Sequence, residues 1–300
     1  MDRLSPEGYR DQSTEQAVAD TRACVEYIDA IDPAHDLITP IITPRFAPAC
    51  TPATLHALGA LSAETHLPIQ THISENTAEL ASVAALFPDS ENYAHVYDAA
   101  GLLTPRTILA HAIHLSPAER ALISARGAKV AHCPCSNTCL TSGAARVREL
   151  LDAGIEVGLG TDVSGGYGVS VLEQVRQAVM VSRHVAMGID EDEEGERRER
   201  AKLATEEALY LATRGGAKVV GMDERIGGFE VGMEWDAQMI GLGVVPEDGL
   251  LNEDEAPVDL FGTEGWEEKV AKWVYNGDDR NTLAVWVKGR LVHRRKSYLP

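Results

Sequence analysis

His72, Glu75, His111, His132 and Asp162 are residues whose types and spacing could do chemistry together in this 300-residue chain. The histidines and the aspartate stand at the ends of short apolar runs: His72 in "LPIQTHI", His111 in "RTILAH", His132 in "AKVAHC" and Asp162 in "IEVGLGTD". Imidazole and carboxylate are both good zinc ligands, and His72 with Asp162 leaves room for further ligands and a water. Glu75 lies three residues past His72. Its position suits a proton shuttle beside a metal, and it equally suits an exposed loop carboxylate. Arg45 and Phe46 follow an earlier apolar run, "LITPIIT" (37–43). A single histidine at a strand end is more often a satisfied core group than a ligand. Five consecutive runs ending in such residues resist that explanation.

A denser candidate is "HCPCSNTC" (132–139), a histidine and three cysteines in eight positions. The residue types suit zinc, but the spacing does not. Cys133, Cys135 and Cys139 are separated by one and then three residues, unlike the C-x₂-C pairs of structural zinc sites. The H-x-E and P-C-x-x-C signature of nucleotide deaminases also fails, because the chain has H-x-x-E and P-C-x-x-x-C. These cysteines read as small buried hydrophobes. A metal belongs to His72 and Asp162.

The elements that must position these residues alternate strand and helix. Ser13 to Gln16 caps a helix striped by Val18, Val25, Ile28 and Ile31. Thr51 and Pro52 open a second, and 77–87 reads as a third. Ser116 to Glu119 is another capping box, 145–154 a helix with a glycine stop, and 169–187 an amphipathic helix. With strands at 37–43, 67–73, 106–111, 128–133 and 155–162, this predicts an α/β fold with a parallel sheet and helices outside it. Beyond residue 200 come helical 205–221, a strand at 236–242 and a hairpin over 281–295 turning at Lys288 and Gly289. Five βα units are too few for a closed (β/α)₈ barrel.

Composition excludes several classes. The formal charge is −19, which repels nucleic-acid backbones and anionic membranes. The densest basic group, Arg197, Arg198 and Arg200, sits inside an acidic run (190–200) that reads as a solvated loop or helix edge. No stretch has the length of a membrane span, and "MDRLSPEGYRDQ" has no apolar signal core. The five cysteines make no disulfide framework in a chain of this length. A reducing cytoplasm is the expected setting.

"ITPRF", "QTHISENTAEL", "ILAHAIHLS", "AHCPCSN" and "GLGTDVSGGYGVSVLEQVRQAVMVSR" together resemble the guanine deaminases of the amidohydrolase superfamily. The resemblance runs over nearly the whole chain, to "NGDDRNTLAVWVKGRLV". "HISEN" and "GTDVSGGY" are specific, whereas "AHCP" recurs more widely. The resemblance implies a zinc-bearing (β/α)₈ barrel with a small β-sandwich built from both chain ends. Residues 1–235 would be part of the barrel, its C-terminal five βα units, and 236–300 a remnant of the sandwich. It implies one Zn²⁺ per subunit, with His72 and Asp162 among its ligands. Glu75 matches the general acid/base that protonates the purine ring, and Asp162 also takes a proton from the water. His111 matches a histidine that orients that water rather than binding the metal. Arg45 and Phe46 match residues that grip the base by hydrogen bonding and aromatic packing, with His72, Glu75 and Asp162 also bordering the substrate. The implied reaction is hydrolysis at C2 of guanine, giving xanthine and ammonia. The expected partners are a small purine substrate and, in a full-length enzyme, a second copy.

The family also needs an H-x-H metal pair at the end of its first barrel strand. No two of this chain's ten histidines are separated by one residue. The expectation is a chain matching the C-terminal two thirds of a longer enzyme and inactive by itself. Two further readings stay open: another nucleobase or triazine deaminase on the same barrel, and a non-catalytic fragment or binding protein that kept the fold and lost the metal.

Overall fold

Burial alternates along β1 (Ile69–Ile73): Ile69, Thr71 and Ile73 are buried, Gln70 is exposed and His72 is half-buried. This period of two is the mark of a strand with one covered face. β2 (Thr107–His111), β3 (Lys129–His132) and β4 (Val157–Leu159) follow. The four are parallel, in the order β1-β2-β3-β4. Register places His72 opposite Ala110, Ile73 opposite His111 and His132 opposite Leu159, so the strands' C-terminal ends lie side by side. The computed structural model describes residues 1–244 and 257–296.

The helices are α1 (Thr14–Ile31), α2 (Pro52–Thr65), α3 (Thr77–Leu86), α4 (Tyr93–Ala99), α5 (Pro117–Arg126) and α6 (Pro134–Cys139). They continue as α7 (Val147–Asp152), α8 (Val171–Met187), α9 (Glu191–Ala201), α10 (Thr205–Ala212), α11 (Arg214–Val219) and α12 (Trp266–Asn276). Caps fix several starts. Thr51 accepts the Thr54 N–H ahead of Pro52, and Ser116 and Glu119 exchange both bonds of a capping box. The helices bury one face of the sheet in a core that includes Ile42, Leu55, Leu61, Ile69, Leu109, Ile123, Val130 and Val157.

The expected first strand, 37–43, is a correction. Only Ile42 bridges, in parallel with Ile69. Ile42 N–H reaches the Pro68 carbonyl at 2.9 Å, and Gln70 N–H reaches the Ile42 carbonyl at 3.0 Å. The next rung needs an N–H at residue 44, which is proline and has none. The His72 N–H is then taken by the Arg45 carbonyl at 3.1 Å, one residue out of step. The expected helix 205–221 breaks at Thr213 (φ −118°, ψ −92°) into α10 and α11. The break lets Gly215 lie against β4, where a Cβ would meet the Val157 carbonyl oxygen at 2.6 Å.

The C-terminal part holds an antiparallel sheet and a separate parallel pair. β5 (Ala237–Ile240), β8 (Thr282–Val287) and β9 (Arg290–Arg294) form a sheet in the order β5-β8-β9, while β6 (Gly243–Val244) pairs with β7 (Pro257–Leu260). Lys288 (φ +50°) and Gly289 (φ +76°) turn the expected hairpin, both in the left-handed region that a two-residue turn of this hand requires. Val274 of α12 packs with Val175, Val179 and Ala208. The Arg176 guanidinium also donates to the carbonyls of Val274 and Gly277, tying α8 to this part. Residues 245–256 and 297–300 of the expected second unit lie outside the described residues.

Candidate metal centre

β1 delivers His72 half-buried, facing away from the helices. Its Nδ1–H donates to the Arg45 carbonyl at 2.6 Å, which leaves Nε2 with a lone pair. Burial pushes its pKa below the ordinary histidine value, so the ring is neutral near pH 7 and available as a ligand. His111 ends β2 with φ +72° and Asp162 follows β4 with φ +45°. Left-handed backbone at non-glycine residues is uncommon and strained. Here two such residues stand at the ends of β2 and β4, on either side of β3. Gly166 folds the loop after Asp162 back on itself: its N–H bonds the Asp162 carbonyl at 2.8 Å, and a Cβ there would meet the Thr161 carbonyl oxygen at 2.4 Å.

These placements bring together ligand atoms of His72, His111 and Asp162, all within 4.8 Å of one another. The two imidazoles stack with centroids 5.1 Å apart. His111 Nε2 lies 3.8 Å from Asp162 Oδ2 and 3.9 Å from Glu75 Oε2. It is buried and has no hydrogen-bond partner among the described residues. A buried lone pair aimed at a neutral imidazole and a carboxylate fits a divalent cation, and zinc takes this donor set.

Glu75 precedes Asn76, the N-cap of α3, and its N–H donates to Glu79 Oε2 at 2.8 Å. Its Oε1 accepts from the Ser142 hydroxyl at 3.1 Å. The remaining oxygen is the one that faces His111. Phe46 lies 6.3 Å from the His72 ring, centroid to centroid, and the Arg45 guanidinium stands 5.8 Å from the Phe46 ring. Arg45 is exposed and Phe46 half-buried, forming one wall beside the cluster. Tyr97 holds that wall to β1: its hydroxyl donates to the His72 carbonyl at 2.7 Å and accepts from Ala47 N–H at 3.0 Å.

His132 is not brought into the cluster. It lies on the covered face of β3, fully buried, with neither ring nitrogen hydrogen-bonded to a described residue, and burial pushes its pKa down to about 4. The cysteines are also outside the cluster. Cys133 and Cys135 are buried, as expected, and burial pushes the Cys133 thiol up to about 12. Cys139 is exposed, because α6 turns its last residue outward. Sequence reading missed Asn137, Ser142 and Tyr97, polar side chains that touch the cluster residues from behind. Asn137 lay in plain view within "HCPCSNTC", where the cysteines drew the attention.

A parallel α/β sheet whose strand ends gather two histidines, an aspartate and a neighbouring glutamate defines a hydrolase able to use a divalent metal. The model of the Amidohydrolase family matches residues 1–292, and the chain belongs to that family. It is 47% identical over 292 residues to a probable guanine deaminase of Schizosaccharomyces pombe, covering 97% of this chain and 53% of the relative. Guanine deaminase of Dictyostelium discoideum is 42% identical over 292 residues, with 97% and 60% covered. The crystal structure of guanine deaminase from C. acetobutylicum, with guanine bound in its active site, superposes with a TM-score of 0.82 at 33% identity, covering 98% of this chain and 64% of that one. The chain thus spans between about half and two thirds of the length of the proteins it matches. Among the described residues, no helix is long and apolar enough to cross a membrane.

Proposed function

We propose that this site serves the hydrolytic deamination of guanine, in which guanine and water give xanthine and ammonia. The observation that carries the reading is the meeting of His72, His111 and Asp162, with ligand atoms within 4.8 Å, next to Glu75 and the Arg45–Phe46 wall. The relatives named as guanine deaminases support the choice of base. His72 and Asp162 would hold Zn²⁺, with His111 Nε2 facing the same space. The ion, when bound, supplies the Lewis acidity that makes water a nucleophile at neutral pH.

The chain's own groups do the rest. His111 orients the attacking water and Asp162 accepts its proton. Glu75 passes a proton to the purine ring and then to the departing amine. The Ser142 hydroxyl, bonded to Glu75 Oε1, keeps the other carboxylate oxygen toward the cluster. Arg45 hydrogen-bonds the base and Phe46 packs on its face.

Within this reading, residues 1–235 are part of a (β/α)₈ barrel and 236–300 contribute to a small β-sandwich. The parallel β1–β4 sheet and the antiparallel β5-β8-β9 sheet support that division. The chain alone turns over little guanine, because no pair of its histidines is spaced H-x-H.

The test offers the zinc-supplemented protein guanine, adenine, cytosine and a triazine, measuring base binding and ammonia release together. Tightest binding and any chelator-sensitive ammonia release are expected with guanine. A preference for cytosine or the triazine selects a different deaminase on the same barrel. Folded protein that binds neither zinc nor a base selects the non-catalytic reading. Robust zinc-dependent turnover by this chain alone supports the reaction and removes the expectation of low activity.

A further inference from the structure

Asn137 belongs to "HCPCSNTC", the ligand-rich stretch that the metal cluster leaves unused. It is 1% exposed and its backbone is held from both sides. Its N–H donates to the Cys133 carbonyl at 3.0 Å, and its carbonyl accepts from Ser142 N–H at 2.8 Å. From this fixed base, Oδ1 reaches His111 Nδ1 at 2.9 Å, with both residues buried. An amide oxygen can only accept a hydrogen bond, so Nδ1 carries the ring proton and Nε2 keeps the lone pair. Nε2 is the atom that faces Asp162 and Glu75. An imidazole that must accept at one nitrogen, from a water or toward a cation, is set in this way by an acceptor on its far nitrogen.

We propose that Asn137 is the positioning residue that fixes the tautomer of His111, and that this is what the 132–139 segment contributes to the site. The inference rests on the metal-dependent hydrolysis proposed above. The rest of the segment keeps Asn137 in place: Pro134 opens α6 at its first position, and Cys135 N–H is capped by Gln174 Oε1 at 3.3 Å. The reverse amide orientation would bring Nδ2 against His111 Nδ1 as a donor. The ring proton would then sit on Nε2 and block it. These two arrangements differ in a property that can be measured without turnover.

The experiment records ¹⁵N spectra of ring-labelled histidines in the metal-free 300-residue chain, with His111 assigned by loss of its signal in His111→Gln. The expected result is His111 protonated on Nδ1. Asn137→Leu should shift His111 toward the Nε2–H form. Asn137→Asp, whose carboxylate accepts the same proton, should restore the Nδ1–H form. Wild-type His111 protonated on Nε2 overturns the proposal. So does an unchanged tautomer in a folded Asn137→Leu. Should Asn137→Leu fail to fold, the wild-type tautomer and the Asn137→Asp variant decide. A failure to deaminate guanine would remove the proposed reaction without touching this result.

Discussion

Two carboxylates stand beside one cluster with their oxygens committed differently. Glu75 has one oxygen on Ser142 and holds the other 3.9 Å from His111 Nε2, outside the group of shared ligand atoms. Asp162 is inside that group, on a left-handed backbone that the neighbouring Gly165–Gly166 turn accommodates. Removing the charge of each should therefore have different effects on the metal. In an enzyme that carries these residues with its complete metal ligand set, Glu75→Gln should keep zinc after dialysis while losing about 10²–10⁴-fold in deamination, the usual worth of a general acid/base. Asp162→Asn should lose activity and zinc together. Metal analysis on dialysed protein, paired with an ammonia assay, separates them. Equal zinc loss in both variants would make Glu75 a ligand and remove its assignment as the acid/base.

At the scale of elements, the sequence made legible what depends on local patterning. Capping residues located α1, α2 and α5, and short apolar runs located β1 and β2. What it hid depends on neighbours distant in the chain: the lost rung at Pro44, the break at Thr213 beneath β4, and the short helices α4 and α6, too brief to show a stripe. The side chains at the strand ends could be placed in the site because the strands were found. Asn137 and Ser142 could not, since a polar residue in a one-turn helix or a loop carries no sign of what it will touch. Gly59 is one such hidden contact. A Cβ on it would meet the Ala100 carbonyl oxygen at 1.8 Å, so α2 lies directly on the turn after α4. Gly59→Ala should destabilise by about 3 kcal/mol, at the upper end for overpacking, despite alanine's better helix propensity. A lowered urea midpoint with an unchanged slope checks it. The start of α2 carries a pH dependence. Asp2 accepts from Thr51 N–H at 2.8 Å, Thr51 Oγ1 at 2.6 Å and Thr54 Oγ1 at 2.8 Å. Burial pushes its carboxyl upward, but these bonds together outweigh burial and hold the pKa below 3.8. A carboxyl depressed on folding stabilises fully above its unfolded pKa and loses that contribution as pH falls through the folded value. Asp2→Asn should then cost about 1–3 kcal/mol near neutrality. The gap between wild type and variant should close as pH falls through the folded value, which lies below 3.8. A gap constant with pH would mean that Asp2 acts through shape alone.

The whole molecule has one sheet face under its helices and another left open. Gln70 and His72 on β1, Ile108 and Ala110 on β2, and Lys129 and Ala131 on β3 are exposed or half-buried, against full burial of Ile69, Leu109 and Val130 on the other side. Ile108 and Lys129 line a trough of about 570 Å³ shared with Ile41, Pro68 and Met222. Leu37, on the chain entering it, is 86% exposed. The trough's lining mixes these apolar side chains with Asp36, Arg106 and Arg225, and the exposed apolar part favours association. The charge of −19 opposes it, because two copies repel over a range set by the salt. The screening length is about 30 Å at 0.01 M and about 3 Å at 1 M ionic strength. Salt should therefore strip away the repulsion and leave the apolar attraction intact. The 300-residue chain is expected to stay dispersed at low ionic strength and to self-associate or precipitate as salt rises towards about 0.5 M, read by sedimentation velocity. Ile108→Lys, which plants a charge in the trough, should shift that onset to higher salt. Association that weakens with salt would mean that charge pairs, and not the open sheet face, bring the copies together.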